Sequence, residues 1–331
     1  MPSASGTVLL FGYSFFSFEL FTYGIVFAIV CLNLAVIWPT KILHFNLKSI
    51  LITQSGAEIL YVLVRSVMLL QKFTSDDPFA PANPILQGII IFNSLFRRFL
   101  GHVLIIERFL ATIYTSSYES YSKIRFTFTW FIITFIIAFV NTVTNGQSWT
   151  FTQFNMITQT MSTVISLLEF LLIIVIRNYN RRRYINQIEE ASPKNYHIGQ
   201  RYQVSDNVKT ATQLLPAFLC LFLTNFTSNF FVFVTAFGIV SEPNKISLTF
   251  AFGIWSDAFL GAATELTIMT HHPLLKRRLI ILLKKMFNLN QNQIGDMPTN
   301  TMELAPSAAN PTNGRDEMDA HFKMLLQLWN K

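Results

Sequence analysis

Glu107 and Arg108 stand side by side at the end of an apolar run, and Glu58, Arg97, Arg98, Glu169 and Asp257 lie inside others. An acid next to an arginine can act as a switch. The guanidinium is held by a carboxylate or a neighbouring helix in one state and freed to meet a partner in another. The charges inside the runs have a different logic. If the runs cross a membrane, an ionisable side chain within them is costly and needs a partner or a function. Counting ~1.5 Å per residue from the run ends places Glu58, Arg97, Glu169 and Asp257 about 16–18 Å into a ~30 Å core. Four charged positions on four helices at one depth predict a buried polar layer, with Arg97 or Arg98 paired to Glu58 or Asp257. Adjacent residues diverge by ~100° around a helix, so the two arginines are not expected to share one partner. Such a layer could lock the resting packing or form the floor of a ligand cavity.

Enzymatic chemistry finds no support in the sequence. Glu169 and Asp257 alone do not make a protease, and there is no clustered nucleophile, so no catalytic residue is assigned. His271-His272 invites a metal reading, but neighbouring side chains diverge and no further His or Cys cluster accompanies them. They read as boundary residues before Pro273, and neither a metal nor a cofactor is implied. The two cysteines, Cys31 and Cys220, both fall within apolar runs and are expected to be buried thiols packing as small apolar groups.

The elements that must position these residues are seven apolar runs, at 18–38, 50–70, 85–106, 126–144, 157–176, 214–237 and 246–270. The runs are close to the ~20 residues that span a bilayer as a helix. Only 13% of the residues are charged and 51% are hydrophobic. The 33 phenylalanines and 10 tyrosines suit lipid-facing and interfacial positions. Of the 25 Lys and Arg residues, 20 fall in alternate connections and the tail; Arg65, Lys72, Arg97, Arg98 and Lys245 are the others. Basic residues concentrate on the cytoplasmic side, which predicts an amino terminus outside and a carboxyl terminus in the cytosol. The net charge of +7 therefore serves membrane orientation and contact with anionic lipid, not nucleic acid.

The expected organisation is an extracellular amino terminus at 1–17, a seven-transmembrane domain at 18–270, an amphipathic surface helix at 271–287 and a mostly disordered cytosolic tail at 288–331. The first span reads as an uncleaved anchor, because residues 1–17 lack a basic segment and a small-residue cleavage site. The connection 177–213 is the longest and carries Arg181-Arg182-Arg183; Ser205 or Asp206 could cap a helix extending the sixth span. After Pro273, Leu274 to Phe287 holds five basic residues among apolar ones and is too short and charged to cross, so it is expected to lie on the inner membrane surface. In the tail, Met318, Phe322, Leu325 and Trp329 recur at helical spacing, with Asp316 as a possible cap.

The Glu107-Arg108 pair resembles the Asp/Glu-Arg pair of heptahelical G-protein-coupled receptors. The segment Ile106 to Glu119 also resembles nematode serpentine chemoreceptors, as does Tyr196-His197-Ile198-Gly199-Gln200-Arg201-Tyr202-Gln203-Val204-Ser205-Asp206-Asn207-Val208-Lys209. Asp206 stands where that family's pattern has glutamate. The boundary His272-Pro273-Leu274-Leu275-Lys276-Arg277 is similar too. The match is best to serpentine receptor class epsilon, with classes alpha, alpha-b and beta close to it. The resemblance implies an all-α membrane protein, a seven-helix bundle of G-protein-coupled receptor type. It implies a receptor at the plasma membrane of sensory-neuron cilia that detects a small molecule and signals to a heterotrimeric G protein. Glu107, Arg108, Arg201, Tyr202 and Gln203 would form the coupling and switch region. The rhodopsin-like Asn-Pro-x-x-Tyr motif and the cysteine at the top of the third span are absent, so only Glu107 and Arg108 carry over from that larger family.

For the ligand, the outer halves of the spans offer Phe92, Asn93, Phe96, Phe226, Asn229 and Trp255, an aromatic set with two amides that would suit a small, partly apolar molecule. The rival classes are a ligand-gated heptahelical channel and a transporter. The first would place the amino terminus inside, against the charge distribution, and the second would want repeated halves, of which none is visible.

Overall fold

The computed structural model describes residues 6–40, 43, 45–75, 78–79, 82–113, 124–144, 149–189 and 198–287. The described residues form eight helices: α1 (Gly6–Ile37), α2 (Phe45–Thr74), α3 (Pro84–Ile113), α4 (Ile124–Thr144), α5 (Trp149–Glu189), α6 (Ile198–Ala236), α7 (Pro243–His271) and α8 (Pro273–Met286). Seven of them are long and apolar enough to cross a membrane. The seven apolar runs thus become seven long helices followed by a short one. The bundle is one compact unit reaching to Leu283; a second begins at Lys284, and its described residues are the end of α8 and Phe287. The tail 288–331, with the Met318 to Trp329 stripe and Asp316, lies outside the described residues, as do residues 114–119 and 196–197 of the family-like segments.

Local chemistry sets the helix ends. Pro84 opens α3, where a missing N–H costs nothing, and the Asn83 side-chain oxygen accepts a hydrogen bond from Ile85 N–H at 2.9 Å. Pro243 likewise opens α7, there without a side-chain cap from Glu242. At the far end of α7, His272 leaves the helix and Pro273 begins α8, with Leu275 N–H directed at His272 Nδ1 over 3.4 Å. His272 is thus a buried boundary residue. Lys48 Nζ donates to Trp38 O (2.7 Å) and Thr40 O (2.9 Å), satisfying carbonyls left open where α1 ends.

Three boundaries differ from the sequence expectation. α1 begins at Gly6, so the division at 17/18 falls inside a helix. α5 continues to Glu189, which places Arg177, Arg181, Arg182 and Arg183 on a helix instead of in a connection. α6 begins at Ile198, so Ser205 and Asp206 lie within it and do not cap its start. A helix pairs its own backbone groups in lipid and in water alike, and arginine, glutamine and lysine sustain it well. Loss of hydropathy therefore need not end the element.

Two apolar cores stack along the bundle. One joins Phe16, Tyr23, Val30, Tyr61, Leu69 and Ile90 with Ala251, Ala258 and Ala262 of α7. The other joins Ile37, Leu47, Ile50, Val103, Leu214 and Ile268 with Leu275 and Leu279 of α8. Along α1, α2 and α3 the first core gives way to the second across buried polar residues: Asn33 on α1, Ser55 and Glu58 on α2, and Arg97 and Arg98 on α3. The outward surface is apolar, with Phe128, Phe135 and Phe139 on α4 and Ile157, Val164 and Leu168 on α5 all exposed. Such a belt suits hydrocarbon. Cys31 lies on that exposed surface and Cys220 is half-buried, which corrects the expectation of two buried thiols. An apolar run crossing lipid has an outward face as well as an inward one, and hydropathy does not separate them.

Candidate functional site

The centre of the polar layer is the Arg97 guanidinium. It pairs with Glu58 of α2 and, through Nη2, with Asp257 Oδ2 of α7 at 3.1 Å. It also lies over the Tyr61 ring, 5.1 Å from the centroid. The Tyr61 hydroxyl donates to Ile254 O at 2.9 Å, tying α2 to α7. Ser94 Oγ donates to Asp257 Oδ2 at 2.7 Å. Arg98 donates from Nη1 to Gln159 Oε1 of α5 at 2.8 Å and from Nη2 to Ser94. Its Nε stands 3.9 Å from Asp257 Oδ1. Both arginines therefore reach Asp257, contrary to the sequence expectation. The divergence of ~100° applies at the backbone, and a long flexible side chain can bend back toward a carboxylate facing the seam between them.

Glu169 does not touch Glu58, Arg97 or Asp257. Its Oε2 is 2.7 Å from His102 Nδ1, and His102 Nε2 is 3.0 Å from Ser162 Oγ. Ser162 donates to Asn225 Oδ1 at 3.1 Å, and Asn225 Nδ2 donates to Leu221 O at 3.1 Å. This chain stitches α3, α5 and α6 together one turn along α3 from Arg98.

Two further clusters escaped the sequence reading. Arg65 Nε and Nη2 donate to the two carboxylate oxygens of Glu19 at 2.7 and 2.9 Å, and the Tyr23 hydroxyl joins Glu19 Oε1 at 2.9 Å. Ser55 Oγ donates to Glu265 Oε2 at 2.9 Å and accepts from Asn33 Nδ2 at 3.1 Å. The signal that could have found them was present, since Glu19, Arg65 and Glu265 are ionisable residues in apolar stretches.

Beside the layer lies a cavity of about 340 Å³. It is bounded by Ile90, Ser94 and Arg98 of α3, Asn155 and Gln159 of α5, Phe231 and Thr235 of α6, and Ile254 and Asp257 of α7. Tyr61 of α2 and Asn141 of α4 complete it. The six residues expected to form a pocket do not line it. Phe92 and Phe96 point from α3 toward α4, where their rings meet Phe135 at 5.0 and 6.4 Å. Asn93 is buried and donates to Ile89 O at 2.9 Å. Phe226 is exposed, and Asn229 lies 3.4 Å from the Thr160 hydroxyl. Trp255 stacks on Phe259 and meets Phe18 and Phe252 at a tilt. Choosing aromatic residues by depth picked the wrong sides of helices, because a step of one or two positions turns a side chain by ~100–200°.

At the other end of α3, Glu107 and Arg108 are both buried, and Arg108 Nε and Nη2 donate to the two Glu107 oxygens. Thr112 Oγ1 donates to Arg108 O at 3.0 Å and accepts from Asn180 Nδ2 of α5 at 3.2 Å, which anchors this end of α3. Arg201, Tyr202 and Gln203 lie in the first two turns of α6, with their side chains outside the described residues. On α8, Arg278 Nη1 donates to Thr40 Oγ1 at 2.9 Å.

Residues 6–330 match the family of Sre G protein-coupled chemoreceptors. The chain belongs to this family. It is a chemosensory G-protein-coupled receptor and a multi-pass membrane protein, from a family of receptors and not of enzymes. No curated protein matches it. In this Sre-family receptor α3 runs the length of the bundle, with the cavity and the Arg97 layer on its first half and the Glu107-Arg108 pair near its end.

Proposed function

We propose that this receptor, of serpentine class epsilon, binds a small molecule in the cavity between α3, α5, α6 and α7. The signal passes to a heterotrimeric G protein at the end holding Glu107 and Arg108. In this reading the amino terminus is outside, the basic end faces the cytosol at the plasma membrane of a sensory cilium, and α8 lies along the inner leaflet. The observation that carries it is the continuity of α3. Ser94 and Arg98 border the cavity, Arg97 joins α2 and α7, His102 joins α5 and α6, and Arg108 is held by its own neighbour. A ligand that rearranges Arg98 and Asp257 shifts the ties between α3 and its neighbours, and with them the surroundings of Arg108. Arg201, Tyr202 and Gln203 would form part of the same coupling surface on α6. Lipid contacts the exposed belt.

The test is a G-protein activation assay on the full-length receptor, with surface level measured in parallel. Arg108→Ala should reduce ligand-evoked activation by about tenfold or more while the receptor still reaches the surface and binds ligand. Undiminished activation by Arg108→Ala would remove Arg108 from the coupling role. Ligand-evoked current without G-protein turnover would favour a channel.

A further inference from the structure

The unmet hydrogen bonds on the cavity wall restrict its occupant. Arg98 and Asp257 supply the charge on that wall among the described residues, and both are more than nine-tenths buried. Their charges cancel. Arg97 and Glu58 cancel behind them, and Glu265 lies about 12 Å further along α7, counted at ~1.5 Å per residue, where Ser55 bonds it. The Arg98 terminal nitrogens are taken up by Gln159 and Ser94, and Asp257 Oδ2 by Ser94 and Arg97. Arg98 Nε and Asp257 Oδ1 remain without a hydrogen bond, 3.9 Å apart. That is too far to bond each other. One oxygen that accepts from the first and donates to the second can bridge them. On α5, Asn155 Nδ2 and Oδ1 are likewise buried and unpaired, again one donor beside one acceptor.

Buried polar atoms left unpaired are costly, so a well-matched occupant supplies both a donor and an acceptor. A hydroxyl or an amide does this while remaining neutral. A carboxylate near Arg98 would also face the open Asp257 oxygen, and an ammonium near Asp257 would face Arg98. Neither ion finds an uncompensated opposite charge to offset its lost hydration. The rest of the wall includes Ile90, Leu95, Phe231 and Ile254, which asks for an apolar body. We propose that the cavity selects an uncharged amphiphile of small size, with a hydroxyl or amide bridging Arg98 Nε and Asp257 Oδ1 and a second polar contact at Asn155. This rests on the reading of the cavity as the ligand site.

The experiment uses the full-length receptor in lipid nanodiscs and four probe sets sharing hexyl to decyl chains: alcohols with primary amides, carboxylates, amines, and plain alkanes. Thermal stabilisation reports binding, and G-protein activation in cells reports response. The alcohols and amides should half-saturate at concentrations at least about tenfold lower than any other set. Asn155→Leu should raise that concentration by a similar factor. If Asn155→Leu does not reach the surface, the selectivity of the unaltered receptor decides the matter. Tighter binding of carboxylates, amines or alkanes, or an unchanged response in Asn155→Leu, overturns the ligand class and leaves the cavity as a binding site. Silence of all four sets overturns both.

Discussion

A β-carbon on Gly261 would stand 2.7 Å from both Arg97 Nη1 and Glu58 Oε2. The missing side chain on α7 is what lets the ion pair of α2 and α3 lie against it. Gly261→Ala should therefore push α7 away or bend the pair out of line, at about 1–3 kcal/mol. The measurement is the melting temperature of purified receptor in one detergent, where Gly261→Ala should melt below the parent and Gly261→Val lower still. Equal melting temperatures would show that α7 does not close over the pair. Much at this scale was visible in the sequence: Glu58, Arg97 and Asp257 announce themselves as charges in apolar runs. Their partners did not. Which acid meets which arginine depends on how each helix is rotated, and Glu169 found His102, a residue whose ordinary polarity gave no warning.

Between elements, the close approach of α3 and α6 rests on Gly101. A β-carbon there would run into the side chain of Leu221. Since that obstacle is a side chain and not backbone, the contact can be rebuilt from the other side. Gly101→Ala should lower the melting temperature, and adding Leu221→Ala should recover part of the loss. A double variant no better than the sum of the two single ones would show that the sites are independent. Hydropathy found every helix long enough to cross a membrane but placed several ends badly. Residues 6–17 are largely apolar, yet Gly12, Ser14 and Ser17 dilute the run, and Gly12 proves to sit against Phe79. The long extensions of α5 and α6 were missed for the opposite reason, since they are polar and helical at once.

For the whole molecule, the alternation of basic connections makes a prediction about topology. Glycosylation sequons engineered before α1, or between α6 and α7, should be modified in cells. Those placed between α1 and α2, or after α8, should remain bare. Modification in the second group would reverse the proposed orientation and with it the coupling end. The number of crossings could be counted from the sequence; the cavity could not, because six helices contribute to it and its walls exist only once their faces are set. The lengths of α5 and α6 carry a mechanical consequence. α6 has 39 residues and holds Pro216 within it, a position that lacks one backbone hydrogen bond and so bends more easily than its neighbours. From Pro216 to Ile198 is about 27 Å at ~1.5 Å per residue. A tilt of only ~10° about that point swings the free end through roughly 5 Å by the same rise. A bend confined to the turn around Pro216 thus becomes, over the length of that segment, a displacement wide enough to open or shut a cleft at the far end.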